Sequence, residues 1–115
     1  MKNAIVTGAS NGIGLEISKK LTENNYYVGM IDIDKENLIK ESKKIHNSIP
    51  IEGDVTNEES IKNALKTFNK TPDLIVNNAG IVIFGSLEEQ SVEDFKKSVD
   101  VSLVGSYLVS RLSIE

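Results

Sequence analysis

Glycines and small polar residues are concentrated in one short segment near the start of the chain. Residues 7–14 read Thr-Gly-Ala-Ser-Asn-Gly-Ile-Gly, which places Gly8, Gly12 and Gly14 in a G-x-x-x-G-x-G spacing. Glycines so spaced permit a tight turn and a close approach of backbone to a pyrophosphate, which the amides of a following helix would face. An ordinary glycine-rich turn is the alternative. No Lys-Ser or Lys-Thr follows Gly14, which disfavours a nucleoside-triphosphate loop.

An acidic residue, Asp32, stands 24 residues after Gly8 at the end of the second apolar run. A carboxylate there can accept hydrogen bonds from both hydroxyls of an adenosine ribose, and it would repel a 2′-phosphate. Asn11 and Ile33, the neighbouring candidates for cofactor contacts, are uncharged, whereas a phosphorylated cofactor calls for cationic partners. The pattern therefore favours NAD over NADP. A solvated turn acid is the alternative interpretation, because Asp34 lies beside Asp32.

Four short apolar runs recur along the chain, with helical patterns between them. The runs are Ala4-Ile5-Val6, Val28-Gly29-Met30-Ile31, Ile49-Pro50-Ile51 and Leu74-Ile75-Val76. Three of them are continuous rather than alternating, as in strands covered on both faces, and Pro50 weakens the third because proline cannot donate to a central ladder. The order β-α-β-α-β-α-β, followed by a loop and a helical region, predicts an α/β fold with a doubly wound parallel sheet.

The helical segments combine apolar residues at helical spacing with residues suited to capping. Asp34 is the expected N-cap of the second helix, and Thr56 and Ser91 each begin a possible capping box. A break is expected near Asp100, and the sequence stops at Glu115 without a C-cap signal, which looks like a cut through a helix. The predicted buried faces are Ile13, Ile17 and Leu21; Leu38 and Ile45; Ile61, Ala64, Leu65 and Phe68; and Val101, Leu108 and Leu112.

Composition restricts the function classes further. The chain has 115 residues, 39% hydrophobic and 26% charged, with 13 Lys and Arg against 17 Asp and Glu and a net charge of -4. This length suits one domain, residues 1–115, and the acidic balance argues against nucleic acid or an anionic membrane as partner. Without cysteine there is no disulfide, iron–sulfur ligation or thiol nucleophile, and His46 alone cannot form a histidine-based metal site. No apolar run approaches the roughly 18 residues of a membrane span, and the first residues do not resemble a signal peptide, so a cytoplasmic location is expected.

Three motifs together resemble those of the short-chain dehydrogenase/reductase family. They are the glycine segment 7–14, Asp54-Val55 after the third apolar run, and Asn77-Asn78-Ala79-Gly80 after the fourth, in the family's order. The resemblance implies a Rossmann-type sheet with strand order 3-2-1-4 and NAD lying across the carboxyl ends of the strands. It also implies that the cofactor phosphates are lined by Gly8, Ser10, Gly12, Ile13 and Gly14.

The resemblance further assigns the two ends of the cofactor. At the adenosine end, Asp32 would hold the ribose, Asp54 would accept from the adenine amine, and Val55 would offer an apolar face to the purine. Taken alone, Asp54 is better explained as a strand-end N-cap and residues 77–80 as a turn. At the nicotinamide end, the implied residues are Asn78, Ala79, Gly80 and Val101.

The sequence departs from the family pattern at the residues that perform the chemistry. Family members use a Tyr and a Lys four residues later for acid–base catalysis, with an upstream Ser and an Asn, and no Tyr-xxx-Lys occurs here. Tyr107 and Arg111 have a similar spacing, but arginine is permanently charged, so Tyr107 is interpreted as a packing residue. Ser102 stands where the family's Asn positions a proton-relay water, and it is this chain's catalytic candidate. A helical residue bonded to its own backbone is the alternative.

These observations predict the coenzyme-binding half of an NAD-dependent short-chain dehydrogenase. The enzyme would transfer a hydride between NAD(H) and a small alcohol or carbonyl substrate, with residues 81–84 bordering the substrate pocket. The resemblance also suggests a homo-oligomer. The 115-residue chain alone is expected to be inactive, marginally stable and self-associating, because its fourth strand would form an open edge. A non-catalytic dinucleotide-binding module and a piece of a longer chain are the alternatives.

Overall fold

The computed structural model describes residues 1–80, 86 and 88–114. The strands are β1 (Lys2–Thr7), β2 (Tyr26–Asp32), β3 (Ser48–Glu52) and β4 (Leu74–Val76). The helices are α1 (Gly12–Glu23), α2 (Lys35–Ser42), α3 (Glu58–Phe68), α4 (Val92–Val99), a π-helical segment (Asp100–Val104) and α5 (Gly105–Ser113). Among the described residues, no helix combines the length and the apolar character needed to cross a membrane.

All four strands run parallel in the order β3-β2-β1-β4. β1 is central, where Val6 pairs with Met30 of β2 on one side and with Val76 of β4 on the other. The predicted α/β Rossmann-type fold with strand order 3-2-1-4 is therefore confirmed. The chain leaves β1 toward β2 but later returns to the opposite side of β1 to form β4. This reversal opens a crevice at the carboxyl ends of the two strands.

Helices cover both faces of the sheet, which is why β1 and β2 are apolar at consecutive positions. Successive side chains of a strand point to opposite faces. Pro50 lies in β3, an edge strand, where proline is tolerated. One face carries the buried cluster Ala4, Val6, Val28, Met30 and Leu38, and the other carries Ile5, Ile31, Ile51, Ala64 and Phe68.

The buried face of α1 differs from the predicted one at a single residue. Ile13 is 72% exposed, although Ile17 and Leu21 pack on the core as expected. The fully buried positions of α1 are Gly14 and Ser18. α1 is therefore oriented with these two small residues facing the sheet, and Ile13 lies outside the contact between helix and sheet.

Two of the three predicted helix caps are confirmed. The side chains of Asp34 and Ser91 accept from the third amide of α2 and α4, respectively. The cap of α3 is Asn57 rather than Thr56. Both residue types suit an N-cap, and the one nearer the helix takes the position while the Thr56 hydroxyl donates to Asp54.

The last helical region packs on α3 through a small apolar cluster. Val109 is fully buried there with Val55 and Ile61, and Val101 and Leu112 pack against them. The expected break near Asp100 takes the form of the π-helical segment within a continuous helical path. Tyr107 is 62% exposed, so its interpretation as a packing residue is wrong for this chain. It points away from the stripe because Val109, two residues later, occupies the buried face.

Candidate coenzyme site

The glycine loop joins β1 to α1 at the carboxyl edge of the sheet. Gly8 and Gly12 adopt φ values of +65° and +55°, which disfavour any residue with a side chain. A Cβ added at Gly14 would overlap the carbonyl oxygen of Gly8, and one added at Gly8 would lie 2.9 Å from Cα of Ala79. The loop is thus folded tightly on itself and against the segment after β4, and its shape depends on glycine.

Thr7 fastens the loop to the strand beside it. Its buried hydroxyl accepts hydrogen bonds from the amides of Asn78 at 3.1 Å and Ala79 at 3.0 Å, and it lies 3.5 Å from the Val76 carbonyl. The side chain of Asn78 donates to the Gly8 carbonyl at 3.2 Å. Two segments about seventy residues apart in sequence therefore form one rigid wall. In the sequence, Thr7 carries no signal beyond being the first residue of the glycine motif.

The Asp32 carboxylate lies directly beside this loop. Oδ2 accepts from the amide of Ser10 at 3.0 Å, and Oδ1 accepts from the amide of Asp34 at 3.0 Å. Each carboxylate oxygen can accept a second hydrogen bond, so the group keeps capacity for a ligand. The structure thus holds Asp32 in a fixed orientation at the crevice, rather than leaving it free in solvent.

Asn37, a residue without an assigned role in the sequence, supports the same corner. Its side-chain amide donates to the Ser10 carbonyl at 2.6 Å, and its backbone amide donates to Asp34 Oδ1 at 3.2 Å. The hydroxyl of Ser10 is buried and has no hydrogen-bond partner among the described residues. A buried hydroxyl without a partner has lost its hydration without compensation. A ligand bound at the loop could supply the missing hydrogen bond. Asn37 carried no sequence signal beyond a place in the first turn of α2.

A cleft of about 290 Å³ lies between the ends of β2 and β3, bordered by Ile33 and Asp54. Asp54 Oδ1 accepts from the amide and the hydroxyl of Thr56 at 2.9 and 2.7 Å, and its own amide donates to Ser60 Oγ at 2.9 Å. Asp54 is therefore part of a turn, and the N-cap alternative is excluded because Asn57 fills that position.

Val55 is only 7% exposed, because its side chain packs against α5. A Cβ at Gly105 would lie 2.7 Å from Val55 Cγ2. The expected apolar face toward a purine is therefore almost entirely covered by α5.

At the other end of the crevice, Gly80 and Ser102 lie next to each other. A Cβ at Gly80 would be 3.7 Å from Ser102 Oγ, an ordinary contact distance. Ser102 is exposed in the π-helical segment, and within the described residues no hydrogen bond joins its hydroxyl to the backbone. The neighbouring Val101 packs against the apolar cluster of Val55, Ile61 and Val109.

Residues 81–84, the expected border of the substrate pocket, fall wholly outside the described part of the chain.

The glycine loop, Asp32, Asp54 and the segment 78–80 thus lie along one edge of the sheet, in the arrangement of a dinucleotide-binding crevice. A family model described as short chain dehydrogenase matches residues 2–115. The chain belongs to this family.

Relatives and a solved structure agree with this assignment. The chain is 36% identical to an uncharacterized oxidoreductase of Thermotoga maritima, over 99% of this chain and 47% of the relative. It is 29% identical to the NAD-dependent glycerol dehydrogenase of Listeria innocua, over 96% of this chain and 45% of that protein. The crystal structure of a 3-ketoacyl-(acyl-carrier-protein) reductase from Brucella melitensis complexed with NADH matches with a TM-score of 0.90 and 29% identity, covering 96% of this chain and 48% of that one. The chain spans about half the length of these relatives.

Proposed function

We propose that residues 1–115 bind NAD(H) for an oxidoreductase that interconverts small alcohols and carbonyl compounds. The observation that carries the proposal is the Asp32 carboxylate, held by the amides of Ser10 and Asp34 at the carboxyl end of β2. Both oxygens keep an acceptor site, which suits the vicinal hydroxyls of an adenosine ribose. When bound, the nicotinamide ring supplies the hydride acceptor or donor.

The selectivity for NAD over NADP follows from charge. The Asp32 carboxylate would lie close to a 2′-phosphate and repel it, and Ile33 beside it offers no cation. Among the described residues, none of the ion pairs involves Asp32, so its charge is not neutralised by a basic side chain. The names of the Listeria and Brucella proteins, which mention NAD and NADH, support the same selectivity.

The remaining contacts follow from the geometry of the crevice. The unpartnered Ser10 hydroxyl and the first amides of α1 would bind the diphosphate, with Asn11, Gly12, Ile13 and Gly14 around them. Asp54 would accept from the adenine amine, and Val55 would contribute through its backbone because its side chain is covered. Asn78, Ala79, Gly80 and Val101 would lie near the nicotinamide end, where Ser102 would orient a water.

No Tyr-xxx-Lys occurs in these residues, so the proposal gives them coenzyme binding and no acid–base step. A preparation of verified 115-residue mass should bind NADH without oxidising it in the presence of a carbonyl compound. Turnover by that preparation would contradict the assignment of coenzyme binding alone to these residues.

The proposal also includes a cytoplasmic location and a homo-oligomer. Exposed apolar residues of the last helical region, among them Phe95, Leu103 and Tyr107, support the second point.

The test is a titration of the wild type, Asp32→Asn and Asp34→Asn with NADH and with NADPH. Replacement of Asp32 removes the charge but keeps an oxygen acceptor, so NADH should bind about tenfold more weakly, since a hydrogen bond to a charged group contributes roughly 1.5–3 kcal/mol. NADPH binding should stay constant or improve as the repulsion is lost. Asp34→Asn is the matched control because its side chain caps α2. Equal losses for both coenzymes on changing Asp32 would refute the ribose assignment.

A further inference from the structure

The glycine loop contains the single Asn-Gly pair of the sequence, Asn11-Gly12. Asparagine is a chemically labile residue, and it reacts most readily before glycine because no side chain then shields the backbone nitrogen that attacks it. We propose that Asn11 is a site of spontaneous deamidation, and that its conversion to aspartate or isoaspartate weakens dinucleotide binding. The second half of this proposal rests on the proposed function, whereas the first half does not.

A comparison of two N-cap asparagines shows why Asn11 is the reactive one. Asn11 and Asn57 both have extended backbone conformations at the start of a helix. The side-chain oxygen of Asn57 accepts from the amide of Ser60 at 2.8 Å, which holds the carboxamide in place. Asn11 makes no such capping bond and is exposed. Its carboxamide is therefore free to turn toward the backbone, whereas that of Asn57 must first break a hydrogen bond.

The residue that supplies the nucleophile is equally unhindered. A Cβ added at Gly12 would have no atom of another described segment within 4 Å, so the space beside this residue is open. The first amides of a helix lack an acceptor within the helix, and the amide of Gly12 is the first of α1. Solvent can therefore reach and deprotonate the nitrogen that must attack.

The reaction needs only water and hydroxide from solvent. After its proton passes to hydroxide, the Gly12 nitrogen attacks Cγ of Asn11 and forms a C–N bond. The bond from Cγ to Nδ2 then breaks, and the leaving nitrogen takes a proton from water and departs as ammonia. Water opens the resulting succinimide at either of its two carbonyls. One route gives aspartate and the other gives isoaspartate, with no change of oxidation state.

One contact opposes the reaction and makes it sensitive to ligand. The Asn11 carbonyl accepts from the amide of Leu15 at 3.2 Å, and the peptide unit must rotate away from this bond before the nitrogen can reach Cγ. Ends of helices open most readily, so the reaction proceeds during opening of the first turn of α1. A dinucleotide whose diphosphate binds these amides would hold the turn closed, and it should slow deamidation.

The aspartate product affects binding more than folding. A carboxylate at the N-cap interacts favourably with the helix dipole, so α1 tolerates an aspartate at this position. The same carboxylate occupies the positive end of the helix and repels a diphosphate placed there. At the distances and partial solvent exposure of such a loop, about tenfold weaker binding is expected.

The first test follows the modification by mass spectrometry. The purified protein is kept at mildly alkaline pH with and without NADH, and the tryptic peptide covering residues 3–19 is then sequenced by fragmentation. Asn3 lies in the same peptide, and its side chain donates to the Thr71 carbonyl at 3.4 Å, so it serves as the internal control. Exchange of amide for carboxylate should accumulate at Asn11 well ahead of Asn3, and more slowly with NADH. An intact Asn11, under conditions that convert a synthetic peptide of residues 7–15, would overturn the proposal.

The second test compares Asn11→Asp with Asn11→Gln, which keeps a neutral amide that deamidates far more slowly. Circular dichroism first establishes that both variants fold, and NADH titration should then give about tenfold weaker binding for Asn11→Asp than for Asn11→Gln. Deamidated wild type, separated by ion exchange, contains aspartate and isoaspartate and should bind NADH at least as weakly as Asn11→Asp. Equal affinities of the two variants would overturn the consequence for binding. Failure of the unmodified wild type to bind NADH would instead refute the proposed function, and the mass data would decide the modification site alone.

Discussion

The two ends of the candidate crevice differ in how firmly their polar groups are held. At the proposed adenosine end, both oxygens of Asp32 accept hydrogen bonds from backbone amides, and the Asn37 side chain donates to the Ser10 carbonyl at 2.6 Å. At the proposed nicotinamide end, Ser102 is exposed, and a Cβ at Gly80 would meet its nearest described neighbour only at 3.7 Å. The adenosine end is therefore preorganised, so a ligand pays little to order it. At the proposed nicotinamide end, the described residues make few fixed contacts and leave space beside Gly80.

The largest effect is expected where the two ends are joined, at Thr7. Thr7→Val keeps the shape of the side chain but leaves the Ala79 amide without its acceptor, while the Asn78 amide keeps only the Val76 carbonyl at 3.1 Å. A half-buried amide that loses its partner costs about 1–3 kcal/mol, so the free energy of unfolding should fall by about 2–3 kcal/mol in urea denaturation. Thr7→Ser retains the hydroxyl and should recover most of this loss. A change below about 0.5 kcal/mol for Thr7→Val would show that the joint is not rigid.

A pair of glycine substitutions should separate the tight end from the open one. Gly14→Ala would force a Cβ onto the Gly8 carbonyl oxygen, and overpacking of this kind costs about 1–3 kcal/mol. Gly80→Ala would place a Cβ at an ordinary contact distance and should change the free energy of unfolding by less than about 0.5 kcal/mol. Thermal or urea unfolding measures both variants. Equal costs at the two positions would remove the distinction between the two ends.

A smaller effect is expected from the side chain that positions the loop. Asn37→Ala removes the hydrogen bond to the Ser10 carbonyl and should cost about 1 kcal/mol in unfolding free energy. Because the loop is then less ordered, NADH should bind several-fold more weakly by titration. The matched control is Asn24→Ala, which removes a bond of the same type to the Lys20 carbonyl at the far end of α1. If both variants lost NADH affinity equally, Asn37 would have no specific role in the loop.

The smallest effect is expected at Ser102. Its exposed hydroxyl bonds to no described backbone group, so Ser102→Ala should change the free energy of unfolding by less than about 0.5 kcal/mol. A loss above about 1 kcal/mol in urea denaturation would mean that Ser102 is structural after all.

The sequence was sufficient to predict the fold because burial of the sheet on both faces determines the apolar runs directly. Apolar residues occupy consecutive positions in β1 and β2 for this reason. The strand order follows from the family motifs and the handedness of the crossovers. The positions of Asp32 at the end of β2 and of Gly14 in the first turn of α1 were also predictable, since both residues carry clear signals of type and spacing.

The supporting contacts were not predictable in the same way. The bonds of Thr7 to Asn78 and of Asn37 to Ser10 join residues far apart in sequence, and they depend on register that no local pattern contains. The choice of Asn57 over Thr56 as a cap was open because both are adjacent cap-forming residues. The exposure of Tyr107 was not predictable because helical spacing indicates an apolar face in the last helix but not the centre of that face. The centre is Val109, which is fully buried.

The central claim is that a dinucleotide lies across the carboxyl edge of this sheet with its adenosine end at Asp32. The most direct measurement is an amide chemical-shift map of the isotope-labelled protein as NADH is added. The account predicts the largest shifts at Ser10, Gly14, Asp32 and Asp54, smaller ones at Gly80, and none at His46 and Asn47, which border a groove away from the crevice. Shifts centred on that groove, or no shifts at saturating NADH, would contradict it.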